Sequence, residues 1–184
     1  MKSQLKVALL RGINVGGKNR VQMADLREAF ADLGYDEVAT YIASGNVLFE
    51  SRKAGATLER EIEAMLEDRY GTSIVAVVRT HGELRDVVHK APEGFGGDGY
   101  HSDVVFLKDP LTAKEALGVV ELRDAVDQVW PGKGVVYFAR LSARRTESKM
   151  SKIVGTPEYQ QMTIRSWSTT TKLLGLLDQR VSAP

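Results

Sequence analysis

A chain of 184 residues with 43% apolar content is long enough to bury a sizeable core and falls in the range of one domain or two small ones. Lysine and arginine number 25 against 24 aspartates and glutamates, which speaks against polyanion binding through an overall field and makes any basic patch local. The absence of cysteine excludes disulfides, thiolate metal sites and a cysteine nucleophile, and the short apolar run at the start suits neither a signal core nor a span, so the expected setting is cytoplasmic, with no membrane contact.

In chain order, the apolar run Leu5 to Leu10 reads as a buried strand, because a glycine-rich loop bounds it at once. A helix follows, with Met23, Leu26, Ala29, Phe30 and Leu33 at three- and four-residue spacing and Gly34 as its left-handed stop. Val38 to Ile42 and Val47 to Glu50 read as strands around the turn Ser44-Gly45-Asn46. A second helix runs from about Thr57 to Tyr70, and Ile74 to Val78 closes the unit as a strand. Strand, helix, strand, strand, helix, strand is the split βαβ, or ferredoxin-like, order.

A short helix near Glu83 to His89 and the glycine-dense stretch 92–99 form a connector. Beyond it the order repeats. Asp103 to Leu107 is a strand, and Thr112 opens a helix with a Ser/Thr-x-x-Glu capping pattern. Val126 to Trp130 and Val135 to Ala139 flank a hairpin turn, a helix is expected from Ala143 to Val154, a strand from Met162 to Arg165 and a last helix from Thr169 to Leu177. The fold class is therefore α+β, with two ferredoxin-like halves at 1–80 and 102–184, a connector at 81–101 and an extra C-terminal helix.

Chemistry concentrates in four places. The loop Arg11-Gly12-Ile13-Asn14-Val15-Gly16-Gly17-Lys18-Asn19 resembles a phosphate-binding loop but carries Asn19 where a magnesium-binding hydroxyl belongs. Its glycines permit backbone N–H groups to converge on an anion beside Arg11 and Lys18, with a plain strand-to-helix connection as the alternative. Ser44 and Asn46 offer hydrogen-bonding groups on a neighbouring turn, where an ordinary hairpin role is the stronger alternative. Arg145, Lys149 and Lys152 fall on one face of the expected helix as a cationic stripe, or a merely solvated one.

Arg165, Trp167, Thr169 and Lys172 surround the expected start of the last helix, where free N–H groups, hydroxyls and cations suit an anion and an indole suits a base; capping and packing are the ordinary alternatives. His81, His89 and His101 lack metal-ligand spacing and read as scattered surface residues. No metal and no cofactor are expected.

Arg11-Gly12-Ile13-Asn14-Val15-Gly16-Gly17, Tyr41-Ile42-Ala43-Ser44-Gly45-Asn46-Val47 and Thr163-x-Arg165-x-Trp167-x-Thr169-x-x-Lys172-Leu173 together resemble the DUF1697 family, bacterial proteins of unknown function. Ser166 departs from that family's usual Asn. The resemblance implies two ferredoxin-like halves and no activity. The working expectation is an anionic ligand, a phosphate, nucleotide or nucleic-acid backbone, in a cleft between the halves held by Arg11, Lys18, Lys149, Arg165 and Lys172. Asn14, Gly16, Gly17, Ser44, Asn46, Trp167 and Thr169 complete the set. Two alternatives stay open: phosphoryl or nucleotidyl transfer, with Asp25 or Asp103 as nominal metal carboxylates, and a structural module with no small ligand.

Overall fold

The structure is a computed structural model that describes residues 3–16 and 20–182. Its elements are β1 (Gln4–Leu10), α1 (Met23–Asp32), β2 (Asp36–Tyr41), β3 (Asn46–Ser51), α2 (Gly55–Tyr70), β4 (Ala76–Thr80), α3 (His81–His89), β5 (Tyr100–Leu107), α4 (Ala113–Val119), β6 (Asp127–Gly132), β7 (Val135–Leu141), β8 (Met162–Ser166) and α5 (Trp167–Val181). Two four-stranded antiparallel sheets result, with strand orders β2-β3-β1-β4 and β6-β7-β5-β8. Each order is that of a ferredoxin-like half, so the α+β duplication read from element order is the fold. The chain divides into two compact units, residues 1–84 with 173–184, and residues 85–172.

In the first unit, the alternation of strand side chains sends Ala8 and Leu10, Val47 and Phe49, and Ala76 and Val78 to one face, where they meet Leu26 and Phe30 of α1 and Leu58, Ile62 and Leu66 of α2. Phe30, Tyr35 and Phe49 touch through their rings, Phe49 stacked on Tyr35 with centroids 4.9 Å apart. Each fully buried side chain of this size contributes about 1.5–3 kcal/mol. Val7, Leu9 and Val77 on the opposite face are also fully buried.

Gly71 ends α2 in the left-handed conformation at φ +65°, its N–H bonded to the Glu67 carbonyl at 2.8 Å. The outer edge of β4 is covered by the same helix: Glu63 accepts the Ala76 N–H at 3.0 Å and Glu59 accepts the Val78 N–H at 2.9 Å. Two edge donors are thereby taken out of intermolecular strand pairing.

In the second unit, Val105 and Leu107, Val136 and Phe138 face Ala116 of α4 together with Met150 and Ile153. The capping pattern at Thr112 forms in full, with the hydroxyl accepting the Glu115 N–H at 3.2 Å and Glu115 accepting the Thr112 N–H at 2.8 Å.

The α-helix expected over 143–154 does not form. Three 3-10 segments take its place, Ser142–Glu147, Met150–Gly155 and Pro157–Gln161. Side chains and a proline outcompete the helical ladder: Asp127 accepts the Lys149 N–H from 22 positions away at 3.0 Å, Ser148 accepts the Met150 N–H at 3.2 Å, and Pro157 has no N–H to give. The last helix starts earlier than expected, because the Ser166 hydroxyl takes the first free amide, the Thr169 N–H at 3.2 Å, and it runs on to Val181. Among the described residues no helix is long and apolar enough to cross a membrane.

Candidate functional site

Within the first unit, two chain segments lock together around Asn14. The loop after β1 turns through left-handed residues, Gly12 at φ +73°, Asn14 at φ +54° and Gly16 at φ +58°. Asparagine tolerates that conformation, and its amide then bonds backbone on both sides. Asn14 Nδ2 donates to the Val21 carbonyl at 2.8 Å and to the Ala43 carbonyl at 2.9 Å, and Oδ1 accepts the Val21 N–H at 2.8 Å.

Gly45 sits at φ +86° with its carbonyl accepting the Leu10 N–H at 2.8 Å; a Cβ there would lie 2.7 Å from Ile13 Cδ1. Only glycine fits. Fully buried Asn46 donates to the Tyr41 carbonyl at 3.0 Å and to the Ser44 hydroxyl at 3.2 Å. Asn14, Ser44 and Asn46 are thus brought together, and each spends hydrogen bonds on holding the loops. Arg11 is half-buried at the end of β1, its N–H on the Val75 carbonyl at 2.9 Å. Gly17 and Lys18, both named as ligand-binding candidates, lie outside the described residues, as does Asn19.

Within the second unit, Arg165 stands on β8 opposite Val104, and the chain enters α5 two residues later. Its guanidinium is buried, with 7% of the residue exposed, and donates to the Thr163 hydroxyl at 2.9 Å and the Ile164 carbonyl at 2.8 Å. Desolvation is the main cause that brings its pKa down to about 10. The first turn of α5 contains no acid. Its hydroxyls bond one another and the helix backbone: Ser166 donates to Thr169 Oγ1 at 3.0 Å, and Thr170 to the Ser166 carbonyl at 3.0 Å. Lys172 is exposed a turn further on.

Trp167 lies edge-on to Phe95, centroids 5.1 Å apart, and Phe95 also meets Trp130 and Tyr137. The indole packs so closely on Gly96, at φ +82°, that a Cβ there would be 2.1 Å from its Cδ1.

The remaining candidates scatter. Lys149 lies between two 3-10 segments, so the helical stripe with Arg145 and Lys152 has no helix to stand on. Glu121 holds two of its members, with Lys152 Nζ at 2.6 Å and Lys149 Nζ at 3.6 Å. Asp25 is bound by Arg69 and by the Tyr70 hydroxyl, which hold its carboxyl below the usual range. Asp103 has Arg140 Nη2 at 3.0 Å and His101 Nε2 at 3.5 Å, yet burial outweighs both and pushes its carboxyl up. Among the described residues no three His, Asp or Glu side chains are grouped as a metal site.

His81 is not merely a scattered surface residue. His81 Nε2 lies 2.6 Å from Asp178 Oδ1 with its side chain only 20% exposed. The two residues are 97 positions apart, a separation for which the sequence carries no local signal.

A family model described as a protein of unknown function, DUF1697, matches residues 4–137. Among solved structures, the conserved bacterial protein SP0830 from Streptococcus pneumoniae is similar, at 27% identity and a TM-score of 0.81, over 96% of this chain and 99% of that one. No curated protein matches.

Proposed function

The chain belongs to the DUF1697 family, and we propose that it is a binding protein for an anionic ligand carrying phosphate, with the start of α5 as the contact. The observation that carries this reading is the charge environment there. A 15-residue helix begins two residues after a buried guanidinium, its first turn holds hydroxyls and no acid, and Lys172 lies exposed above it. The N-terminal amides of a helix and its dipole favour an anion, and a guanidinium offers planar donors to phosphate oxygens.

The commitments of Asp25 to Arg69 and Asp103 to Arg140 favour binding over metal-assisted phosphoryl or nucleotidyl transfer, since a transfer site needs a carboxylate open to metal. A second reading, in which the signature residues are structural, is favoured by the three backbone bonds of Asn14 and the packing of Trp167 on Gly96.

A thermal-shift titration with inorganic phosphate, nucleotides and short oligonucleotides separates the two. Binding predicts a saturable rise in melting temperature that falls with added salt and is weakened in Lys172→Ala, an exposed change that leaves the core alone. Arg165→Lys, which keeps charge and loses the planar fork, weakens it further. No rise with any of these anions overturns the binding reading and leaves the structural one.

A further inference from the structure

We infer that a polar groove of the first unit binds a small zwitterion of the free amino acid or dipeptide class. This site is separate from the start of α5 and does not rest on the reading above. The groove has a volume of about 420 Å³ and is lined by Gln4, Glu50, Thr80, His81, Gly82 and Arg180, among others. That volume lies at the low end of the ~300–1,000 Å³ of small-molecule sites.

Its charges come in both signs. On one wall, α3 begins at His81, with Thr80 as its cap: the Thr80 hydroxyl accepts the Glu83 N–H at 3.2 Å, and Glu83 accepts the Thr80 N–H at 2.8 Å. Arg180 comes from the last turn of α5 and is fixed by donation from Nη1 to the Glu37 carbonyl at 2.7 Å. That leaves its Nε and second Nη as donors for a carboxylate. His81 is held by Asp178 through Nε2, which directs its other ring nitrogen to a different partner.

The opposite sign is supplied by Glu50, which is partnered with Leu5 across the sheet and carries no salt bridge or side-chain hydrogen bond among the described residues. The final carbonyls of α5, at Arg180 and Val181, add the negative pole of that helix beside it.

The ligand class follows from this pairing. A plain anion facing Arg180 would meet the Glu50 carboxylate without compensation, and a plain cation facing Glu50 would meet Arg180. A molecule with a carboxylate and an ammonium a few ångströms apart satisfies both walls, and unmatched partners are rejected by the charge left over.

The test is an amide NMR titration of the full chain with alanine, with glycylglycine, and with N-acetylglycinamide, which lacks both charges. The expected result is saturable shifts at His81, Gly82 and Val181 with at least one of the two zwitterions and none with the blocked compound; which of the two saturates at lower concentration assigns the spacing of the charges. Glu50→Gln keeps size and shape, and it is expected to weaken binding about tenfold or more while the melting temperature stays near the parent value. Arg180→Lys is expected to weaken it as well. Absence of saturable shifts with both zwitterions, or equal response to N-acetylglycinamide, overturns the inference. Shifts confined to Ser168 and Thr169 would report the α5 start instead and would equally overturn it.

Discussion

The two units keep one strand order yet fill the slot between their third and fourth strands in different ways. In the first, α2 spans the slot in 16 residues, satisfies its own backbone and buries Leu58, Ile62 and Leu66. In the second, three 3-10 segments span it and bury Met150 and Ile153. Asp127 supplies part of what the helical ladder would have supplied, accepting the Lys149 N–H at 3.0 Å. The difference shows that a split βαβ unit requires a crossing that covers the sheet and satisfies its backbone, whether through a ladder or through a buried carboxylate.

The largest expected effect tests that contrast at its apolar anchors. Leu66→Ala should cost toward the upper end of about 2–5 kcal/mol, because a regular helix cannot collapse onto the cavity. Ile153→Ala, in a segment with fewer backbone bonds, should fall toward the lower end. Chemical denaturation of both variants measures it, and equal costs would mean that the 3-10 path is as rigid as the helix.

A second pair probes the close glycine contacts, one in each unit. Gly45→Ala places a methyl 2.7 Å from Ile13 in a left-handed conformation, and Gly96→Ala drives one into Trp167. Each should cost about 2–4 kcal/mol from backbone strain and overpacking. Only Gly96→Ala should alter tryptophan fluorescence, since it displaces the indole; a matching change in Gly45→Ala would break the separation.

The smallest effect is one of sign. The Asp25 carboxyl is held low by Arg69 and Tyr70, so its contribution is present above the ordinary carboxylate range and is lost as pH falls through its folded pKa. The Asp103 carboxyl is raised by burial, so its penalty is present above the raised pKa and is relieved as pH falls through it. Melting temperatures of Asp25→Asn and Asp103→Asn relative to the parent, followed from pH 7 toward pH 3, should therefore change in opposite senses. Asp25→Asn should approach the parent in acid, whereas the parent should gain on Asp103→Asn. Parallel curves would remove the distinction.

Much of the fold was legible because it rests on local periodicity. The strand at Leu5 to Leu10, the α1 face from Met23 to Leu33, the Gly34 stop and the Thr112 capping box all depend on neighbours within a few positions, and all form. The helix over 143–154 failed for a nonlocal reason. Its spacing suited a helix, but Asp127, 22 positions from Lys149, claims the backbone at the middle of the segment.

The candidate site was legible as a set of positions and less so as a set of roles. Asn14 belongs to the expected ligand set through the loop that carries it, whereas the carbonyls it binds belong to Val21 and to Ala43, 29 positions away. The groove of His81, Glu50 and Arg180 was not legible at all, since its residues come from β3, α3 and the end of α5.

The glycine-rich loop after β1, the Ser-Gly-Asn turn and the hydroxyl-rich entry to α5 were determined by the amino-acid sequence alone, because left-handed backbone, turn formation and helix capping are short-range requirements met by particular residue types. Tertiary structure alone decided which side chains spend their hydrogen bonds on backbone, which guanidinium is desolvated and which carboxylate keeps a free face. Those outcomes depend on burial and on partners brought from distant positions, and neither is encoded in local spacing.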